Sequence, residues 1–184
     1  MELKNIFSKV EKHENFSWSR LGGIKDGRGD LGEEMPVLVY RLMQYTMLDE
    51  LSKAYGLEKA NEHFRNAGFL AGMEFAKNTQ DLKVDFDTFL ANLQKALEEL
   101  RIGILRMETF DAGTGNIVLT VEQDLDCSGL PITNENVCIY DEGFIAGILE
   151  AYTGKRYDVC EIDCWASGDR VCRFNGTVME EEQM

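Results

Sequence analysis

Arg156-Tyr-Asp-Val-Cys160-Glu161-Ile-Asp-Cys164-Trp-Ala-Ser-Gly168-Asp-Arg-Val-Cys172-Arg-Phe-Asn-Gly-Thr-Val178 is the stretch on which the reading of this chain turns. It predicts a strand over 156–165, a tight turn at Gly168-Asp, and a returning strand over 170–178. Such a hairpin brings Cys164 and Cys172 together at its base. Cys138 upstream adds a third thiol and Glu161 a carboxylate, so four donors follow one another in order. Thiolates with one hard oxygen suit a borderline cation such as zinc. Strand alternation sets Glu161 and Cys164 on opposite faces unless a bulge intervenes. Cys160, in phase with Cys164, and Cys127 therefore compete for the fourth position. Four thiolates also admit an iron–sulfur cluster.

Working back from the hairpin, a helix spans 138–152 and Gly154 closes it. Cys138 then stands at a helix N-terminus, where the dipole favours a thiolate. Before it, strands at 103–110 and 116–123 flank the glycine-bearing loop Asp-Ala-Gly-Thr-Gly. In the second of these, Ile117, Leu119 and Val121 share one face. Further upstream the periodicity is helical: 86–100, with Phe86, Phe89, Leu90, Leu93, Leu97 and Leu100 in phase; 57–78; and 36–55, entered at Pro36 and stopped by Gly56. The 36–55 helix is apolar around most of its circumference, which predicts a central, buried element. Residues 16–31, with Trp18, Leu21 and Ile24 before Asp26-Gly27, read as a hairpin. The pentads Gly68-Phe-Leu-Ala-Gly72 and Gly143-Phe-Ile-Ala-Gly147 echo one another on two helices and predict close packing, of one helix on the other or on the sheet. The class is α+β, an antiparallel sheet packed with long apolar helices. Residues 1–15 form an N-terminal arm, 16–178 a single ligand-binding domain, and 179–184 an acidic tail.

Composition bounds the function. The 184 residues are 44% hydrophobic and 28% charged, as in an ordinary globular protein. The net charge of −14 repels phosphate backbones and anionic membranes, so neither nucleic acid nor membrane is an expected partner. The ten uncharged residues from Ala112 to Val121 fall far short of the roughly 20 a bilayer span needs. The N-terminus shows no apolar signal core, so a cytoplasmic location is expected. Five cysteines there argue for reduced thiols or metal ligands. The two histidines, His13 and His63, supply no catalytic set, and His63 reads as a surface or capping residue. Asp124 and Asp126 read as solvated loop charge.

Asp141-Glu-Gly-Phe-Ile-Ala-Gly-Ile-Leu-Glu150, Glu161-Ile-Asp-Cys164 and Gly168-Asp-Arg-Val-Cys172-Arg-Phe174 together resemble the four-vinyl reductase domain family. The resemblance is sharpest over 138–174. It implies a ligand-binding fold shared with transport-protein-particle subunits and, more distantly, with haem nitric-oxide binding domains. It implies small-molecule sensing, and a structural zinc on a Cys, Glu, Cys, Cys set that falls here on Cys138, Glu161, Cys164 and Cys172. The family's phenol sensors hold the phenol hydroxyl with a His and a Trp. This chain has neither residue in the strands at 103–123.

The expectation is a zinc-containing sensor domain for a hydrophobic or aromatic ligand. Phe89, Leu93, Ile117, Leu119, Phe144 and Ile148 would wall its pocket. It would act as a homodimer on a downstream partner protein. The alternatives are a reductase or accessory in vinyl-tetrapyrrole reduction, and a scaffold subunit that binds no ligand. The first alternative lacks a visible dinucleotide or flavin fingerprint.

Overall fold

The computed structural model describes residues 16–179. The expected arm at 1–15, with His13, and the tail from 180 onward lie outside the described residues. A 3-10 turn at Trp18–Leu21 and the single turn α1 (Ile24–Gly27) lead into α2 (Val37–Tyr55), α3 (Leu57–Thr79) and α4 (Phe86–Glu99). Then come β1 (Ile104–Phe110), β2 (Ile117–Glu122), α5 (Ile139–Thr153), β3 (Tyr157–Asp163) and β4 (Cys172–Val178). The four strands form one antiparallel sheet in the order β1-β2-β4-β3. The last hairpin thus sits beside the first, with β4 between β2 and β3.

One face of this sheet carries the core. Leu105, Ile117, Leu119, Val121, Val159 and Phe174 meet Phe89, Leu93 and Leu97 of α4 and Ile145, Ile148 and Leu149 of α5. Asp85 caps α4 by accepting the backbone N–H of Thr88 at 3.1 Å, and α4 then buries one side only. α5 buries residues on most of its circumference, because α3 covers the side the sheet leaves open.

The α3–α5 contact is backbone on backbone. A Cβ built on Gly68 or Gly72 would stand 2.0 Å from the carbonyl oxygen of Tyr140 or Phe144. One built on Gly143 or Gly147 would stand 1.9 or 2.1 Å from that of Arg65 or Phe69. The two glycine pentads therefore pack against each other, and the sheet lies on the far side of α5. Arg65 also donates to the buried Glu142 carboxylate across this seam, which in turn accepts the Glu161 backbone N–H at 2.9 Å. One chain of contacts ties α3 to α5 and α5 to β3.

Two expectations are corrected. Residues 16–31 are not a hairpin. They form two separate helical turns, divided by Gly22 at φ 67° and ended near Gly32 at φ 70°, and none of their side chains is buried. Trp18 instead docks its backbone N–H on Glu74 of α3 at 3.0 Å. The second correction is α2, which has no buried residue. Its polar stripe faces inward. Tyr40 and Gln44 donate to the Asp126 carboxylate at 2.8 and 2.7 Å, and Arg41 donates to the carbonyls of Leu125 and Ser128 at 2.8 and 2.9 Å. Its apolar stripe faces out, with Leu38 68% and Leu42 57% exposed. Apolar periodicity gave the helix but not the direction in which it turns.

Candidate metal centre and adjoining cavity

Four of the five cysteines converge. Cys127, Cys138, Cys164 and Cys172 are each at most 1% exposed, and their sulfurs all lie within 4.8 Å of one another. The Sγ of Cys138 is 3.9 Å from that of Cys164 and 3.8 Å from that of Cys172; Cys127 and Cys172 stand at 3.0 Å. Cys160 is exposed on the other side of β3 and takes no part.

Local chemistry places each thiol. Cys138 is the N-cap of α5. Cys164 opens the hairpin turn, where Ser167 accepts its backbone N–H at 3.1 Å and Asp169 N–H returns to its carbonyl at 3.0 Å. That turn needs Gly168 at φ 109°, a conformation closed to side chains with a Cβ. Cys172 starts β4. Cys127 is delivered by an Asx turn: Asp124 Oδ1 accepts the backbone N–H groups of Asp126 and Cys127 at 2.7 and 3.1 Å.

Glu161 is at the rim of the same group. The pairing of β3 with β4 slips between Glu161 and Asp163, so Ile162 bulges outward, half-exposed. This bulge is what lets Glu161 and Cys164 face inward together. Glu161 Oε2 accepts the Cys138 backbone N–H at 3.1 Å, while Oε1 is buried without a partner. Burial pushes its carboxyl up to about 8. The centre thus offers five donors for four positions: the four of the sequence reading, and Cys127.

These residues fit a cation. Hydrogen bonds from Cys127, Cys138 and Cys172 hold the Cys164 thiol well below its ordinary range, while contact with Cys127 drives Cys138 and Cys172 up. Without a positive charge the group tolerates one thiolate, and a metal permits several. Tetrahedral zinc with Zn–S near 2.3 Å needs sulfurs about 3.8 Å apart, the separation of the two contacts made by Cys138. An iron–sulfur cluster places irons and sulfides between its thiolates and needs them further apart than this.

Beside the centre lies a second buried group. Asp124 and Asp126 are 4% and 2% exposed, which corrects their reading as solvated loop charge. They are buried because α2 covers the loop that carries them and answers Asp126 with Tyr40 and Gln44. Asp141, from the first turn of α5, meets them; its Oδ2 is fully enclosed and has no partner. Burial raises the Asp141 carboxyl well above the carboxylate range, and burial, with the charge of Asp126, brings Asp124 to about 7. A raised carboxyl stabilises the fold fully below its unfolded value near 4, and that contribution is lost as pH rises through the folded value. The stability of Asp124→Asn relative to the native chain should therefore climb by about 2–4 kcal/mol between pH 4 and 7.5. Denaturant titrations of both proteins across that range would read it; a constant difference would mean that Asp124 titrates normally.

Asp124 and Asp141 also line an enclosed cavity of about 50 Å³ between α4, α5 and the sheet. Its other walls are apolar and include Phe89, Leu93, Leu119, Phe144 and Ile148. Ile117 lies outside it, in the core beside Gly176. His63 is an exposed helix residue, edge-on to Tyr55.

An antiparallel sheet with helices on one face, closed by a cysteine-rich terminal hairpin, is a fold seen before. The phenol-responsive sensory domain of the transcription activator PoxR, solved with phenol, superposes with a TM-score of 0.62 at 19% identity, over 83% of this chain and 79% of that one. Trafficking protein particle complex subunit 3 from Naegleria fowleri, covalently bound to palmitic acid, gives 0.61 at 13% identity, over 80% and 98%. At these identities the likeness is one of fold. In sequence, the uncharacterized protein MJ1642 of Methanocaldococcus jannaschii is 25% identical over 154 residues, 84% of each chain. Residues 117–178, from β2 to the end of β4, match the family model of the vinyl-4-reductase domain. The resemblance to the four-vinyl reductase domain family, and the fold shared with transport-particle subunits, both hold. Among the described residues no helix is long and apolar enough to cross a membrane.

Proposed function

We propose that this protein is a small-molecule sensor module whose ligand, hydrophobic or aromatic, occupies the cavity between α4, α5 and the sheet. The observation that carries this reading is that α5 is shared. Its N-cap belongs to the cysteine centre, its middle walls the cavity, and its outer face interlocks with α3. Zinc at the centre would pin the start of α5 to the terminal hairpin, held by Cys138, Cys164, Cys172 and either Glu161 or Cys127. The cavity's 50 Å³ is less than the roughly 150 Å³ that accommodates a benzene ring. A ligand must therefore move α4 against the pinned α5, and that movement is the signal. The phenol bound by the PoxR domain and the palmitate on the transport-particle subunit support an apolar guest in this fold.

The outward apolar stripe of α2 supports a homodimer, since pairing two copies of one helix face is a common way to cover such a surface. A downstream partner protein would read the change. One measurement tests the whole proposal: native mass spectrometry, followed by a thermal-shift screen with matched aromatic, fatty-acid and nucleotide sets. The expected result is one zinc per chain, a mass twice the 20.9 kDa of the chain, and stabilisation by apolar compounds alone. Stabilisation by nicotinamide cofactors would favour the reductase reading. No binding, together with a stabilising Ile148→Phe substitution, would make the cavity ordinary core and favour the scaffold reading.

A further inference from the structure

The cavity is apolar except at one end, and that end is acidic. Of the side chains that line it, only Asp124 and Asp141 are ionisable; Lys, Arg and His are absent from its wall. Asp124 spends Oδ1 on two backbone N–H groups. Asp141 presents Oδ2 fully enclosed with no hydrogen bond, although a buried carboxyl oxygen normally finds a donor. The nearest guanidinium, that of Arg41, is committed to the carbonyls of Leu125 and Ser128. Leu93, Phe144 and Ile148 continue the wall from this acidic end. The site is thus built for a guest with an apolar body and a head rich in donors.

We infer that the ligand class of this cavity is an apolar amine, with its ammonium seated on Asp141 and Asp124. The ranking follows from donor counts. An ammonium offers three N–H donors and can answer both carboxyls; an alcohol offers one; a hydrocarbon offers none. A carboxylate brings only acceptors, and burying it against these two oxygens leaves all of them unsatisfied. The absence of a cationic wall residue makes the preference stronger, since a charged donor gives the shorter and stronger bond. This inference rests on the sensor reading and adds to it the chemistry of the head group.

The test uses four size-matched probes: benzylamine, benzyl alcohol, toluene and benzoate. Each is titrated calorimetrically into the full-length protein as purified, with its metal, and into Asp141→Asn, which turns an acceptor into a donor. Benzylamine should bind about tenfold or more tighter than toluene. Benzyl alcohol should fall between them, and benzoate should not bind. In Asp141→Asn the amine should lose about tenfold and toluene should be unchanged. Should that variant fail to fold, the ranking on the native protein decides alone. Toluene or benzoate binding as tightly as benzylamine overturns the amine class and leaves the sensor reading standing. Failure of all four probes removes both.

Discussion

Cys172→Ser should strip the protein of its metal and lower its melting temperature by roughly 8–16 °C, the shift that a loss of about 4 kcal/mol gives in a chain of this size. Structural zinc contributes its binding free energy directly to folding. Here it would join four separate segments: the loop after β2, the start of α5, the end of β3 and the start of β4. Cys172 touches both Cys127 and Cys138, so its loss breaks the centre whichever residue is the fourth ligand. Serine keeps the shape, which separates ligation from packing. Elemental analysis should read about one zinc equivalent in the native chain and a small fraction of that in the variant. An unchanged melting temperature would reduce these cysteines to small buried hydrophobes. Two companion variants separate the five donors. If Cys127→Ser costs more metal affinity than Glu161→Gln, the set is four thiolates and Glu161 acts by holding the Cys138 N–H. The reverse order returns the fourth position to Glu161.

The terminal hairpin was legible because its signals are local. The two strands of 156–178, the turn at Gly168 and the helix closed by Gly154 each follow from residues only a few positions apart. The same holds for α3, α4 and the β1–β2 hairpin, whose limits differ from the reading by a residue or two. What escaped depends on partners distant in sequence. Cys127 and Cys172 are 45 positions apart, and only the antiparallel pairing of β2 with β4 brings them together. The Asx turn Asp124-Leu-Asp-Cys127 was the one available signal: an Asp three residues before a Cys just past a strand is a means of turning a thiol inward. The bulge at Ile162 was foreseen only as a condition for Glu161 to join the site. Asp124 and Asp126 looked solvated because nothing in their neighbourhood announces Tyr40 and Gln44, which arrive from more than 80 residues away. The hairpin expected at 16–31 failed for a different reason. Its Asp26-Gly27 turn lacks strands able to add to an edge of the sheet, and four glycines leave the backbone free to coil.

Gly143→Ala should be among the most damaging single substitutions in the chain, although alanine is the better helix former by about 1 kcal/mol. The sign is decided by space. The new Cβ would lie 1.9 Å from the Arg65 carbonyl oxygen and 2.7 Å from the Phe69 nitrogen, where ordinary contact begins at 3.4 Å. Both neighbours are backbone of α3, so no side chain can swing aside. α3 and α5 must part by more than an ångström. That separation loosens the matching contacts at Gly68, Gly72 and Gly147 and the Arg65–Glu142 pair, which ties the seam to β3. Overpacking of well-packed interiors costs about 1–3 kcal/mol and occasionally more; rigid backbone on both sides puts this site at the upper end, about 3 kcal/mol net of propensity. The comparison is Gly27→Ala, whose Cβ meets nothing within 4 Å and which should change stability by less than about 0.5 kcal/mol. Urea denaturation of the two variants measures both. If Gly143→Ala proves as stable as the native chain, the two helices are not in backbone contact. α5 would then be free to slide on α3, and a metal at its N-terminus could not convert a ligand in the cavity into a movement of α4.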